Sequence, residues 1–357
     1  MLIPRSKRCL HRHSGLNNHN STGGGEPEGQ RLEYPRGQAT GHLFRFSNYG
    51  NWVGHRLVYS TLCTVAARKT FFEILHKEGY LMTLIDSINL FSKLSVAKTE
   101  FLDRNPLGFW VTSMMAGAYV GMGILLIFSV GQNADPSSRN LVMGVSFGIA
   151  LTLVVFAGSE LFTGHTMYMS IGRLTGKIST LEMFRAWGVT WAGNLAGSAL
   201  LGALFVVGGG GVVLQDGGQD LIHVVATKKM SAPGIELFIR AILCNWLVCL
   251  AIWGAARTKN DMAKCMIIFW CLFAFIATGF EHSIANMTLF SVALFSEHPE
   301  TVSLAGAARN LVWVTLGNTF SGAIFMGLGY WLAAGRPKTK EQADIQQESA
   351  LADDFDE

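Results

Sequence analysis

The chain has 357 residues, half of them hydrophobic and only 15% charged, with 40 Gly and a formal net charge of +3. A soluble domain carries roughly 25% charged residues, so this composition excludes an ordinary soluble fold and points to a polytopic membrane protein, where Gly is also more frequent. The six Cys form no CxxC pair and no metal-ligand spacing, so neither a disulfide nor a metal site is expected.

Residues 1–81 carry eleven Lys and Arg against five Glu, a Gly-Gly-Gly at 23–25, and no helical or strand period up to about Tyr59. No apolar core follows the basic start, so this is not a secretory signal. It reads as a disordered basic extension. No aromatic-basic pattern supports a nucleic-acid arm, and nucleic acid is not an expected partner. Lys77-Glu78-Gly79 can be encoded by codons that contain a ribosome-binding sequence, and Met82 follows three codons later. Native translation is therefore expected to start at Met82. From there Leu84, Ile85, Ile88, Leu90, Phe91 and Leu94 alternate with Asp86, Asn89, Lys93 and Lys98 at helical spacing. This amphipathic helix either lies on a membrane face or packs under a bundle.

Apolar runs follow at about 107–130, 140–170, 183–208, 233–256, 264–295 and 305–333. A bilayer span takes about 20 such residues. Lys and Arg fall twelve to four on the side that holds Arg104, Arg173, Arg185, Arg257 and Arg336. That bias places both termini in the cytoplasm. Residues 82–335 are thus read as one transmembrane domain, and 336–357 as a disordered acidic tail.

Gly279-Phe-Glu-His-Ser-Ile-Ala-Asn-Met287 sits inside the fifth run. Glu281 and His282 are costly at membrane depth unless they face a protein-lined cavity. The Gly and small residues around them predict an interrupted helix, tolerated only where it lines a cavity or packs in protein. The second run holds Gly158-Ser-Glu160-Leu-Phe-Thr163-Gly-His165-Thr-Met167. Glu160 and Glu281 are 121 residues apart, while the Gly-Asn pairs ending at Asn194 and Asn318 are 124 apart. Three spans per half is odd, so the halves must enter the membrane with opposite orientation. The predicted fold class is an all-α polytopic protein with six transmembrane helices as a 3+3 inverted repeat.

At these motifs the sequence resembles the formate/nitrite transporter family, and specifically its bacterial nitrite transporter branch. The matching segments are Asn105-Pro-Leu-Gly-Phe-Trp, Ala157-Gly-Ser-Glu-Leu-Phe-Thr-Gly-His-Thr-Met, Leu243-Cys-Asn-Trp-Leu-Val-Cys, Gly279 to Met287, and Trp313-Val-Thr-Leu-Gly-Asn. The resemblance implies an aquaporin-like fold with broken second and fifth helices, assembled as a homopentamer with one pore per protomer in the bacterial inner membrane. It implies nitrite as the small monovalent anion carried. It also implies apolar constrictions at Phe147, Leu151, Leu161 and Phe162 on one half, and at Phe275 and Val248 on the other. His282 corresponds to a central histidine, Thr163 to the threonine of the first helix break, and Lys229 to a vestibule lysine. Asn245, Glu281, Asn286 and Asn318 correspond to polar positions around the pore.

A small anion entering a low-dielectric gate loses hydration worth of order 20 kcal/mol, and a proton removes most of that cost. His titrates near pH 6.5 when free. The resulting expectation is that Lys229 attracts the anion and that His282, held by Thr163, hands it a proton. Glu281 is expected to satisfy loop N–H groups, and the Asn residues to brace the helix breaks. His165 reads as helix-end packing. Arg240 is either an interfacial residue or a partner for an acid. No HExxH, no helically spaced His pair and no cofactor motif is present, so neither catalytic residues nor a cofactor are expected. Formate and hydrosulfide remain competing substrates, and a structural or sensory role would leave Glu281–His282 unexplained.

Overall fold

The computed structural model describes residues 83–337. The expectations for residues 1–81, the Met82 start and the tail beyond 337 lie outside the described residues. All regular structure among the described residues is helical. By length and composition, five helical stretches can cross a membrane: Pro106–Gln132, Arg139–Ala157, Thr180–Val207, Gly234–Ala256 and Leu304–Ala333.

Helix α1 (Leu84–Arg104) starts at a capping box. The Thr83 hydroxyl accepts the Asp86 N–H at 3.0 Å, and the Asp86 carboxylate accepts the Thr83 N–H at 3.3 Å. Its apolar face is buried at Ile88, Phe91 and Leu102. Phe91 stacks on Trp253 at 5.2 Å, and Trp253 on Tyr330 at 4.2 Å. Of the two sequence-based options, α1 therefore takes the one in which it packs under the bundle. Asn105 ends it and caps α2 (Pro106–Gln132), where Pro106 fits the first turn because no intrahelical N–H is needed there.

The stretch expected as one span at 140–170 is three helices: α3 (Arg139–Ser146), α4 (Ile149–Ala157) and α5 (Phe162–Leu174). Between α4 and α5, Gly158 takes a left-handed φ of 69° that a side chain would resist, and Leu161 is extended. Helix α6 (Thr180–Val207) crosses α2 closely. A methyl at Gly197 would overlap the Met114 carbonyl, and one at Gly117 the Asn194 carbonyl. Small residues let membrane helices approach in this way.

Helix α7 (Leu221–Ser231) was not legible as an element; it sits in a connection and buries Ile222, Ala226 and Met230. Helix α8 (Gly234–Ala256) follows, then α9 (Asp261–Ala277). After α9, Gly279 at φ 73° and an extended His282 separate it from α10 (Ser283–Phe295). Helix α11 (Leu304–Phe320) widens into a π-helix at Ser321–Leu328 before α12 (Gly329–Ala333). π-turns recur where function bends a helix. Here Gly322 lies against the Thr166 and Asn245 side chains, leaving no room for a Cβ.

Candidate functional site

A helix that begins inside apolar protein leaves its first N–H groups without partners. Two asparagines from neighbouring helices supply them. Phe162 N–H donates to Asn194 Oδ1 and Ser283 N–H to Asn318 Oδ1, both at 2.9 Å. Asn194 Nδ2 then donates to the Ser113 and Glu160 carbonyls at 2.7 and 2.8 Å. Asn318 Nδ2 does the same to the Ala241 and Glu281 carbonyls at 2.8 and 3.1 Å. One side chain thus ties a half-helix, the bend before it and a straight helix together.

Each bend also carries a buried carboxylate with a lysine. Glu160 accepts from Lys98 Nζ at 2.5 Å and from His165 Nε2 at 2.8 Å. Glu281 accepts from Lys229 Nζ at 2.8 Å and Asn286 Nδ2 at 2.7 Å. Asn286 donates further to Asn310 Oδ1, whose own amide reaches the Lys229 carbonyl, both at 2.9 Å. A buried charge is tolerable only when paired and hydrogen-bonded in this manner. The task expected of Glu281, satisfying loop N–H groups, falls instead to Asn318; Glu281 holds Lys229. The ammonium of Lys229 is accordingly committed to a carboxylate rather than free.

His282 caps α10 with its own ring. Nδ1 accepts the Ala285 N–H at 3.1 Å, and Nε2 lies 3.1 Å from Thr163 Oγ1. A backbone amide can only donate, so the neutral ring carries its proton on Nε2 and donates it to Thr163. The hydroxyl proton of Thr163 then has no acceptor among the described residues. Asn245 reinforces this corner, donating through Nδ2 to the Thr163 carbonyl, to Thr166 Oγ1 and to the Asn318 carbonyl at 3.3, 3.1 and 2.6 Å.

A cavity of about 560 Å³ opens onto His282 and Phe275 and is edged by Arg139, Lys228, Lys229 and Arg240, with Glu281 as its one acid. With Lys229 answered by Glu281, the remaining cations leave the cavity net positive and attractive to small anions. Arg240 pairs with Glu236 at 2.6 Å, one helical turn away, while still lining this cavity. In its wall Phe275 stacks on the His282 ring at 5.9 Å, and behind it meets Phe147 edge to face at 5.5 Å. Phe147 and Phe275, assigned to separate halves of the chain, close one contact. Leu151, Leu161, Phe162 and Val248 are buried in the same apolar core.

Lys98, His165, Asn194 and Asn310 were not singled out as site residues. The offset that relates Glu160 to Glu281 also relates His165 to Asn286, so the repeat itself carried that signal. Lys98 and Asn310 carry no comparable mark.

Long apolar helices closed around two braced breaks, with a cation-edged cavity lined by the buried His282 imidazole, define a multi-pass membrane transporter or channel. The family model described as formate/nitrite transporter matches residues 88–332. Relatives include the nitrite transporter NirC of Salmonella typhimurium, 52% identical over 75% of this chain and 98% of the relative. The Escherichia coli nitrite transporter NirC is 55% identical over 71% of this chain and 94% of its own. Among solved structures, an FNT family ion channel is 53% identical with a TM-score of 0.68, covering 70% of this chain and 99% of that one. A pentameric formate channel with formate bound is 28% identical with a TM-score of 0.55, covering 64% and 96%. The chain belongs to the formate/nitrite transporter family.

Proposed function

We propose that this protein moves nitrite across the bacterial inner membrane through a path that passes the Thr163–His282 pair. The observation that carries the reading is the cation-edged cavity lined by His282, whose ring meets the Thr163 hydroxyl behind it. Its likeness to the two NirC nitrite transporters supports nitrite over other small anions. We read the fold as six spans in an aquaporin-like 3+3 inverted repeat, with the second and fifth broken at 158–161 and 278–282. Matching Asn194 and Asn318 braces, and matching Lys98–Glu160 and Lys229–Glu281 pairs, support it. Both termini face the cytoplasm by the Lys and Arg bias, and five copies assemble, as in the pentameric formate channel.

Magnitudes favour a proton step. A hydrogen bond to a charged group contributes about 1.5–3 kcal/mol, far short of an ion's desolvation cost of order 20 kcal/mol. Donation from Thr163 alone therefore leaves an anion stranded at the Phe147–Phe275 closure, whereas protonation removes the charge. The ring holds a second proton only by giving up the Ala285 N–H, a cap worth about 1 kcal/mol. Burying the imidazolium is offset only by an anion beside it, so the ring takes its second proton from cavity water as the anion arrives, and the charged ring is a brief state. Its Nε2 proton moves to the Thr163 hydroxyl, whose own proton goes to the anion. The neutral acid crosses and returns the proton beyond the closure. Lys229 fixes Glu281 and the cavity wall, while Arg139, Lys228 and Arg240 gather anions.

Nitrite uptake into proteoliposomes across a pH series tests this. His282→Phe is expected to lose uptake at least about tenfold at every pH, and Lys228→Ala to lose it mainly at low nitrite. Parental uptake and an unchanged pH profile in His282→Phe would remove the relay. Faster uptake of formate or hydrosulfide than of nitrite would replace the substrate.

A further inference from the structure

The two halves hold their buried carboxylates with chemically different partners. Each partner lies five residues after its Glu, early in a half-helix: the amide of Asn286 for Glu281, and the imidazole of His165 for Glu160. An amide has one protonation state at ordinary pH, an imidazole two.

Around the fully buried His165 ring both nitrogens face acceptors. Nε2 is 2.8 Å from Glu160 Oε2, so that nitrogen carries a proton. Nδ1 is 3.5 Å from Thr190 Oγ1, and that hydroxyl already gives its proton to the Ala186 carbonyl at 2.7 Å. In the neutral ring an Nδ1 lone pair therefore faces an oxygen lone pair; a proton on Nδ1 converts the contact into a hydrogen bond. His282 is the opposite case, since its Nδ1 faces an N–H. The charged and titratable groups about His165 are Lys98 from α1, Glu160 from the bend and Tyr168 of α5, whose ring centre is 4.8 Å away. Helix α2 contributes Phe109, edge to face at 5.9 Å, and α6 contributes Trp187, which donates to the His165 carbonyl at 3.1 Å.

We propose that His165 is a positioning residue for the transport inferred above: it takes up a proton from the α1 side and, as a charged donor to Glu160 Oε2, weakens the hold of Lys98 on Oε1. One proton is added at Nδ1, no covalent bond breaks, and the cluster gains one positive charge. Lys98, about one fifth exposed, is then released toward solvent on that side, where its ammonium attracts the permeant anion. Acid on the α1 side thereby raises uptake, independently of the Thr163–His282 step.

The test combines nitrite uptake, with pH varied on the α1 side alone, and ¹⁵N imidazole spectra of the full chain in nanodiscs. For the parent, uptake is expected to rise as the His165 signal moves from the neutral to the imidazolium position. The protonated fraction of one site changes about tenfold across two pH units centred on its midpoint. His165→Asn copies the Asn286 arrangement and is expected to lose the response to α1-side pH, whatever its uptake at neutral pH. Thr190→Val removes only the oxygen that accepts from Nδ1, and is expected to lower the midpoint; it decides the matter if His165→Asn does not fold. A parental α1-side profile in both variants, or a His165 signal that stays neutral throughout, overturns the proposal. Absence of nitrite uptake by the parent refutes the transport reading instead, and the spectra alone then decide whether His165 takes the proton.

Discussion

Replacing Asn318 with Leu keeps side-chain volume but removes three hydrogen bonds at one helix break. Asn318 is fully buried, and its loss leaves the Ser283 N–H without an acceptor and the Ala241 and Glu281 carbonyls without its amide. An orphaned buried N–H costs about 1–3 kcal/mol, and each lost bond to a carbonyl that keeps other partners about 1 kcal/mol. The sum, about 3–5 kcal/mol, corresponds to a fall of roughly 10 °C in Tm for a chain of this size. Asn194→Leu removes the matching set at the other break and should cost the same. Thermal unfolding in detergent, followed by tryptophan fluorescence, measures both. A Tm within 2 °C of the parent (about the effect of 0.8 kcal/mol) for either variant would refute the view that these side chains close the breaks.

Lys229→Met leaves Glu281 buried with Asn286 as its remaining donor, and removing one partner of a buried pair costs about 3–5 kcal/mol. Adding Glu281→Gln should restore most of that stability in a double-mutant cycle; additive losses would show that the pair is not coupled. Outside the long apolar helices, burial pushes the His223 imidazole below its ordinary pKa, although Asp220 draws it up. The unfolded chain then binds this proton more readily than the folded one, so stability present above about pH 6.5 is lost as pH falls below it. His223→Gln should flatten that acid limb in a melt series, and an unaltered limb would count against the assignment.

The apolar runs, the amphipathic start and the Gly-x-Glu bends were legible because bilayer length, helical period and intramembrane charge each leave a local mark. The partnerships were not. Which side chain meets Glu281 depends on α7, a short helix whose apolar residues look like any connection, and Lys229 lies on it. Lys98 reads as one more basic residue on an exposed face until α1 folds beneath the bundle against Glu160. The π-helix at Ser321–Leu328 is invisible to a period-based reading; it falls where Gly322 approaches Thr166 and Asn245 across helices. The tautomer of His282 likewise rests on the Ala285 N–H, a backbone group that no sequence motif displays.

The hydroxyl of Thr163 links imidazole to anion, and nitrite uptake by Thr163→Val beside Thr163→Ser tests that link most directly. Serine keeps the hydroxyl and should transport within about threefold of the parent; valine keeps the shape and should lose at least about tenfold, the equivalent of one 1.4 kcal/mol step in the barrier. Parental uptake by a folded Thr163→Val protein would contradict the proposed route past His282.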